Sequence, residues 1–382
     1  MVSFTDEQIA FQQNIRNFVN EEIIPAVRRL DEGAAFPYPL FYRCCDFGFL
    51  DYSFLAENPE ESRPVEGCIF LEEISRGMGS LGLIFCPQFQ GKSLLAYASD
   101  SLRDEIWSAS RSRPKIFSYA LTEATSGTNA FDLATEAVFD GEYWILNGTK
   151  CWITNAGVAD GYFVVAKTAQ DSFKRSVSIF YVDSQDKGVT AEAGPQMLGL
   201  SNSVMGTIRM EHCRVPAHRL IGGENKGYPL LKLTLNQGRL QLSAVAAGIA
   251  RRAQELAVAH ANAREQAGRK LASLSAISFP IAGMYVHISA LRCMLYQVAG
   301  RFRRQEPTSV DASALKVFAN EVCSQVCRDA MTIHGAYGLS KDSDMERCLR
   351  DSFMLEAAEG TAQACKIAVA SAVNQPQSPL IY

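Results

Sequence analysis

Leu240-Gln-Leu-Ser-Ala-Val-Ala-Ala-Gly-Ile-Ala250 is the stretch on which the fold turns. Ala244, Ala246, Ala247, Gly248 and Ala250 form a small-residue seam inside a helical pattern that runs from roughly Tyr228 to Gln266. Side chains this small let a second helix approach closely. Toward the C-terminus, helical periodicity continues over about 272–303, 309–333 and 343–371, with Pro280 placed to split or kink the first of these. Four long helices with short connections bury their apolar stripes most simply as an antiparallel four-helix bundle.

Toward the N-terminus the pattern changes. Asp140-Gly-Glu-Tyr-Trp-Ile-Leu-Asn-Gly148 has turn dipeptides at both ends, while Tyr162–Ala166 and Val177–Val182 are β-branched and aromatic runs, so a compact β-domain is expected, closed by Val215-Pro216 and the Gly222-Gly223 turn. Before it, Thr5 and Gln8 read as a capping box, and Ile9, Phe11, Ile15, Phe18, Val19, Ile23 and Ile24 recur at near-helical spacing. Further helical patterns cover 38–50, 64–77 and 91–108. The predicted fold class is mainly α with a middle β-domain: an N-terminal helical domain over 1–115, a β-barrel-like domain over 116–222 and the C-terminal bundle over 223–382.

At 382 residues and 47% hydrophobic, the chain is long enough for several cores. Its net charge of −4, with acids and bases interspersed, supplies no basic stripe for nucleic acid and no polybasic block for anionic lipid. The start Met-Val-Ser-Phe-Thr-Asp-Glu-Gln carries no leader pattern and nowhere do eighteen apolar residues run together, so a cytoplasmic protein is expected. The eleven cysteines lack CxxC pairs and read as thiols. Cys323 and Cys327 share a helical face, but no histidine is close in sequence and no HExxH frame occurs, so no metal centre is expected. Neither GxGxxG opening a helix nor GxxxxGK[ST] is present.

Polar or aromatic groups stand in awkward places in three segments. Tyr119-Ala-Leu-Thr-Glu-Ala-Thr-Ser-Gly-Thr-Asn129 is a strand passing into a hydroxyl-rich loop, which is either a surface turn or a source of N–H and O–H donors for a ring carbonyl or pyrophosphate. In Asn147-Gly-Thr-Lys-Cys-Trp-Ile-Thr-Asn-Ala156, Trp152 and Thr154 alternate with Ile153, so an indole and a hydroxyl share one face of a strand; a core tryptophan with an incidental threonine is the plainer alternative. Ala357-Ala-Glu-Gly-Thr-Ala-Gln363 sets Glu359 beside a glycine, where a carboxylate can meet a substrate backbone and act as a base, or simply face solvent. His334 reads as a packing or capping residue.

Together these segments resemble the acyl-CoA dehydrogenase family over essentially the whole chain. The family's Leu-Thr-Glu-Pro-x-Ala-Gly-Ser-Asp is matched by Leu121 to Asn129, Trp-Ile-Thr-Asn by Trp152 to Asn155, and Tyr-Glu-Gly-Thr by Ala358 to Thr361. The resemblance implies FAD held between three domains, usually in a homotetramer built as a dimer of dimers. It implies Tyr119, Leu121 and Thr122 near the flavin's pyrimidine side, and Gly127 and Thr128 by the pyrophosphate and substrate. Trp152, Ile153 and Thr154 would lie along the isoalloxazine, with Thr154 near N5; Thr361 and Gln363 would touch the phosphate and adenosine parts, with Gly335 also at the cofactor. Arg264 would reach the FAD of a neighbouring subunit. Glu359 is the implied base, removing the α proton of an acyl thioester as the β hydride leaves for the flavin. Some relatives carry the base on an earlier helix, before the arginine that here is Arg239, and this chain has Gly238 there.

The chain departs from the pattern at Ala124 for proline, Ala267 for phenylalanine, Ala336 for glycine and Ser201 for arginine. It is also similar to relatives that oxidise acyl or aminoacyl groups, such as prolyl, on a carrier protein. A short- or branched-chain acyl-CoA is the alternative substrate, a flavoprotein or oxygen the expected electron acceptor. A flavin oxidase or monooxygenase, or a catalytically dead scaffold, are readings of other classes.

Overall fold

The computed structural model describes residues 3–48, 63–127, 132–306 and 308–374. Helix α1 (Asp6–Phe18) starts at the Thr5–Gln8 capping box and continues through a π-helical turn at Val19–Ile23 into α2 (Ile24–Gly33), which stops where Ala34 turns left-handed at φ 47°. Next come α3 (Tyr38–Cys45), α4 (Pro64–Gly77), α5 (Gly79–Leu95) and α6 (Asp100–Ser110), the last capped by Ser99. Where the sequence predicts a helix over 91–108, the structure has two, α5 and α6, with a break at 96–99. Helix α5 is buried almost all round and so shows no amphipathic period, while its glycines and internal Pro87 look like breakers.

The middle strands are β1 (Phe117–Ala120), β2 (Glu136–Phe139), β3 (Tyr143–Thr154), β4 (Gly161–Lys167), β5 (Val177–Asp183), β6 (Val189–Ala193), β7 (Met205–Pro216) and β8 (Leu220–Ile221). They pair in the order β6-β7-β3-β2-β4-β5-β8, with β1 parallel to β4. The barrel-like closure expected from sequence is not reached: among the described residues β6 and β8 remain the two ends of an open ladder. The last strand offers only two residues for pairing, too few to bridge the gap.

Helices α7 (Gly227–Ala263), α8 (Ser275–Arg303), α9 (Ser309–His334), α10 (Asp344–Met354) and α11 (Ala362–Val373) form the C-terminal bundle. Pro280 neither splits nor ends α8. The small-residue seam of α7 receives a helix, and that helix is α4 of the N-terminal part. A methyl carbon on Gly248 would lie 2.3 Å from the Glu72 carbonyl oxygen, and one on Gly82 of α5 would lie 3.0 Å from Val245 and still closer to the Ser75 hydroxyl oxygen of α4. Close packing of this kind makes the first and last thirds of the chain share one core.

Buried charges tie the same surfaces. Glu72 and Glu73 are fully buried on α4; Arg251 of α7 bonds both at 2.8 Å, Arg16 of α1 reaches Glu73 at 2.8 Å and Arg292 of α8 reaches Glu72 at 2.7 Å. Helix α8 is long and apolar enough to cross a membrane. Its Met284, Ile288, Leu291 and Leu295 are nevertheless core residues, and Arg292 is spent on Glu72. Burial alone would raise the Glu73 carboxyl, yet Arg251 and Arg16 hold it down to about 2. A depressed carboxyl contributes stability that is present above its unfolded value of 4.5 and lost as pH falls toward 2. Glu73→Gln is therefore expected to cost about 3–5 kcal/mol at neutral pH by removing the carboxylate of Arg16 and one of the two held by Arg251. Its loss of stability between pH 4.5 and 2 should be shallower than the wild type's, as read by urea denaturation at each pH.

Candidate active site

The sequence predicts one helix over 343–371, but the structure breaks it between α10 and α11, and Glu359 sits in the break. Glu359 and Gly360 both turn left-handed, at φ 54° and 89°. That conformation costs a non-glycine residue energy and persists only where neighbours enforce it. The enforcing groups come from α9: the fully buried Lys316 donates to the carbonyls of Glu356 at 3.2 Å and Gly360 at 2.7 Å, and Asn320 donates to Leu355 at 3.1 Å. These satisfy carbonyls that lost their helical partners. Burial pushes the Lys316 ammonium below its usual range.

The Glu359 carboxylate faces α5 and α7. Its Oε1 accepts from Gln90 Nε2 at 2.9 Å, and the same Gln90 donates to the Thr234 carbonyl at 3.3 Å. A methyl carbon at Gly238 would lie 2.3 Å from Glu359 Cδ and Oε2. Burial lifts the carboxyl to about 7, against the Gln90 hydrogen bond and the positive Arg239 and Lys316. Such a group exchanges a proton near neutrality, as a general base must. Tyr119 adjoins it: its hydroxyl accepts from Thr234 Oγ1 at 3.0 Å, and burial, with help from the Glu359 charge, pushes the phenol up.

The strand side is set by a bulge in β3. The ladder with β7 shifts register between Lys150 and Ile153, and Trp152 takes φ 57°. Trp152 is left 56% exposed, Ile153 points into the core at 2%, and Thr154, half-buried, donates to Met205 Sδ at 3.3 Å. The alternation read from sequence thus holds across 152–154, and it leaves only the backbone of Ile153 for anything on the Trp152 face. Ser118 bonds the Thr154 carbonyl at 2.8 Å, which ties β1 to this edge. Buried Lys150 pairs with Glu123 at 2.7 Å and donates to the Leu121 carbonyl at 3.0 Å, fixing the loop after β1. The Leu121 side chain is buried, Thr122 accepts from the Cys151 N–H at 2.9 Å, and Gly127 is exposed. Thr128 lies outside the described residues.

Thr361 caps α11 by accepting from the Ala364 N–H, and Gln363 is exposed in the first turn. Arg264 and Gly335 form a separate group: Arg264, exposed at the end of α7, lies 5.3 Å over Tyr337, and His260 stacks on His334 at 4.6 Å beside Gly335. Arg264 is 26 residues beyond Gly238, about 39 Å along the helix at 1.5 Å per residue. One chain therefore gathers Tyr119, Thr361 and Glu359 at one place and Arg264 and Gly335 at another. Gln90, Thr234, Lys316 and Asn320 carry no local motif; the two buried glutamines of α5, Gln88 and Gln90, are the one signal that could have exposed any of them. A cleft of about 510 Å³ between α2 and α10 is lined by charges such as Asp31, Glu346 and Arg350 and contains none of the predicted residues except Ser201, a departure position, which bonds Asp31.

The arrangement fits FAD. An exposed indole offers a planar face to a ring system, and the first-turn N–H groups of α11 that Thr361 does not take suit a phosphate. Among the described residues no group of three His, Cys, Asp or Glu side chains could hold a metal ion.

Three family models match in order: Acyl-CoA dehydrogenase, N-terminal domain over 5–109, middle domain over 118–213 and C-terminal domain over 225–373. The chain belongs to the acyl-CoA dehydrogenase family. It is 32% identical to a probable acyl-CoA dehydrogenase of Mycobacterium tuberculosis, covering 96% of this chain and 95% of that one. The butyryl-CoA dehydrogenase of Megasphaera elsdenii superposes with a TM-score of 0.93 at 25% identity, covering 98% of this chain and all of that one. The prolyl acyl carrier protein oxidase AnaB shares the fold, with a TM-score of 0.91 at 23% identity over 98% of this chain and all of that one. The acyl-CoA dehydrogenases are flavoproteins that oxidise the CH–CH bond of acyl thioesters, and FAD is their cofactor.

A carboxyl raised above its unfolded value stabilises the fold below pH 4.5 and loses that contribution as pH rises through about 7. Glu359→Gln, neutral throughout, is therefore expected to gain stability relative to the wild type from pH 4.5 to 7, with the difference constant outside that window. Paired denaturation curves at several pH values check this; parallel curves would contradict a buried Glu359 carboxyl.

Proposed function

We propose that this acyl-CoA dehydrogenase uses Glu359 to remove the α proton of an acyl thioester bound between α5, α7 and the 355–361 break. The observation that carries the reading is the Glu359 carboxyl itself, lifted to about 7 and wedged against a glycine where a substrate carbon can approach. Its Gln90 hydrogen bond occupies Oε1 and leaves Oε2, which faces Gly238, for the proton. Lys316 and Arg239 keep the carboxyl from rising further, so a useful fraction is ionised near neutrality. FAD, when bound, supplies the acceptor for the β hydride. Trp152, Thr154, Tyr119 and the start of α11 would hold it, with Leu121, Thr122, Gly127 and the Ile153 backbone along the same edge.

Arg264, about 39 Å along α7 from Gly238, and Gly335, next to the His334 that stacks on His260 of α7, belong in this reading to the FAD of a second copy, which makes the working unit a homo-oligomer, a tetramer by analogy with the family. The proposed substrate is an acyl or aminoacyl group, such as prolyl, on a carrier protein, a reading that rests on overall resemblance to relatives of that kind. The likeness to butyryl-CoA dehydrogenase favours a short acyl-CoA as the second reading. Electrons would pass to a flavoprotein or to oxygen.

Anaerobic mixing of the holoenzyme with short acyl-CoAs and with carrier-loaded prolyl thioester should bleach the flavin with at least one of them. Glu359→Gln should keep FAD and abolish the bleaching, on the order of 10³-fold or more, since the amide keeps the shape and loses the basicity. Retained turnover would overturn the assignment. Trp152→Ala should lose FAD on gel filtration where the wild type keeps it, because the stacking face is gone.

A further inference from the structure

Helices α5 and α7 run antiparallel past Glu359, and three contacts fix their register. Gly238 meets the Gln90 amide, Val245 lies 3.0 Å from the methyl position of Gly82, and Ile249 lies 2.9 Å from that of Gly79. Gln241 falls between the first two levels, on the face that carries Thr234 and Gly238 at helical spacing, opposite Cys86 and Pro87. Cys86 is close enough to Glu359 that the carboxylate charge adds to the burial that pushes its thiol up. Gln241 is thus about one turn along α7 from Gly238, the glycine that faces the base.

That position is costly for a glutamine unless something bonds to it. Gln241 is 9% exposed, and among the described residues its Oε1 has no hydrogen-bond partner. Gln237, one turn back on the same face, gives its amide to Ser93 Oγ at 2.9 Å and leaves its own Oε1 buried without a donor. Two buried acceptor oxygens therefore flank Gly238, in a wall that also holds Gln90 and Thr234. A hydrocarbon chain laid against this wall would leave both acceptors unpaired, and an unpaired buried amide is penalised far more than a paired one is rewarded. A donor on the substrate would satisfy them.

We infer that the acyl group this enzyme takes carries a hydrogen-bond donor, a hydroxyl or an amine N–H, close to the carbons being oxidised, and that Gln241 selects for it. This rests on the reading of Glu359 as the base. A site built around buried polar groups rejects an isostere lacking the matching group, whereas an apolar wall discriminates weakly. The amine form of the class includes aminoacyl thioesters; the hydroxyl form includes short hydroxyacyl thioesters.

The test pairs each donor with its hydrocarbon isostere: 4-hydroxybutyryl-CoA against pentanoyl-CoA, and prolyl-CoA against cyclopentanecarbonyl-CoA. Binding to the Glu359→Gln holoenzyme is measured by calorimetry, and flavin reduction by the wild type is followed in parallel. At least one donor should bind about 10-fold or more tightly than its isostere. Gln241→Leu, similar in volume, should erase or reverse that preference, while Gln241→Asn should keep part of it. Equal or tighter binding of both hydrocarbons, or a preference unchanged in Gln241→Leu, would overturn the inference. Should Gln241→Leu fail to fold, the two isostere ratios in the otherwise unaltered site decide the matter alone. Turnover persisting in Glu359→Gln would sink the base assignment without touching the binding ratios, so the two failures are distinguishable.

Discussion

The site depends on one buried cation. Lys316 lies wholly inside the bundle, with no carboxylate among the described residues in hydrogen-bonding contact, and its ammonium is spent on the carbonyls of Glu356 and Gly360. A helix passing straight through 355–361 would have used those carbonyls internally and turned its side chains along a regular spiral. The break frees them, and Lys316 and Asn320 make the freed geometry stable. Only in the left-handed conformation so enforced does Glu359 reach across to α5, and only there is its carboxyl sheltered enough to hold a proton near neutrality.

Close approach of backbones is the second requirement. Gly238, Gly248 and Gly82 each sit where a methyl carbon would collide with a neighbour, so α4, α5 and α7 pack nearer than ordinary side chains allow. The consequence at the site is that Gln90, carried on a helix of the N-terminal part, can bond a carboxylate carried by the C-terminal part. The buried Glu72 and Glu73, clamped by arginines from α1, α7 and α8, hold the same contact from its far end. Long-range packing and short-range chemistry are therefore one arrangement: loosening the α4–α7 seam would move Gln90 away from Glu359.

Much of this could be read from the residues in order. The long α7, the β-rich middle and the helical start follow from periodicity, and the motifs around Tyr119, Trp152 and Glu359 carry the family. Four features were not legible, each for a physical reason. Helix α5 is buried on every side and so has no polar face to reveal its period. The interruption at 355–361 is imposed by Lys316 and Asn320, some forty residues earlier in the chain, while its local sequence, Leu-Glu-Ala-Ala-Glu-Gly-Thr, reads as helix up to the glycine. Gln90, Thr234 and Gln241 matter because three helices bring them beside one carboxylate, a fact no spacing along the chain encodes. The open ladder of the middle sheet likewise depends on how β6 and β8 lie in space.

Gly238 shows why the base has a single possible home in this molecule. Its missing side chain would start 2.3 Å from the Glu359 carboxyl and 2.7 Å from the Gln90 amide, so any residue larger than glycine there must displace one or both. A carboxylate grown from α7 and one delivered from the 355–361 break would occupy the same space, and they exclude each other sterically before electrostatic repulsion is considered. Choosing the break has a consequence for α7: with no acid of its own beside Glu359, the helix presents the neutral Thr234, Gln237 and Gln241 and the positive Arg239, which favours the ionised carboxylate. The placement of the acid and the polarity of the wall beside it are thus two results of one steric choice at residue 238.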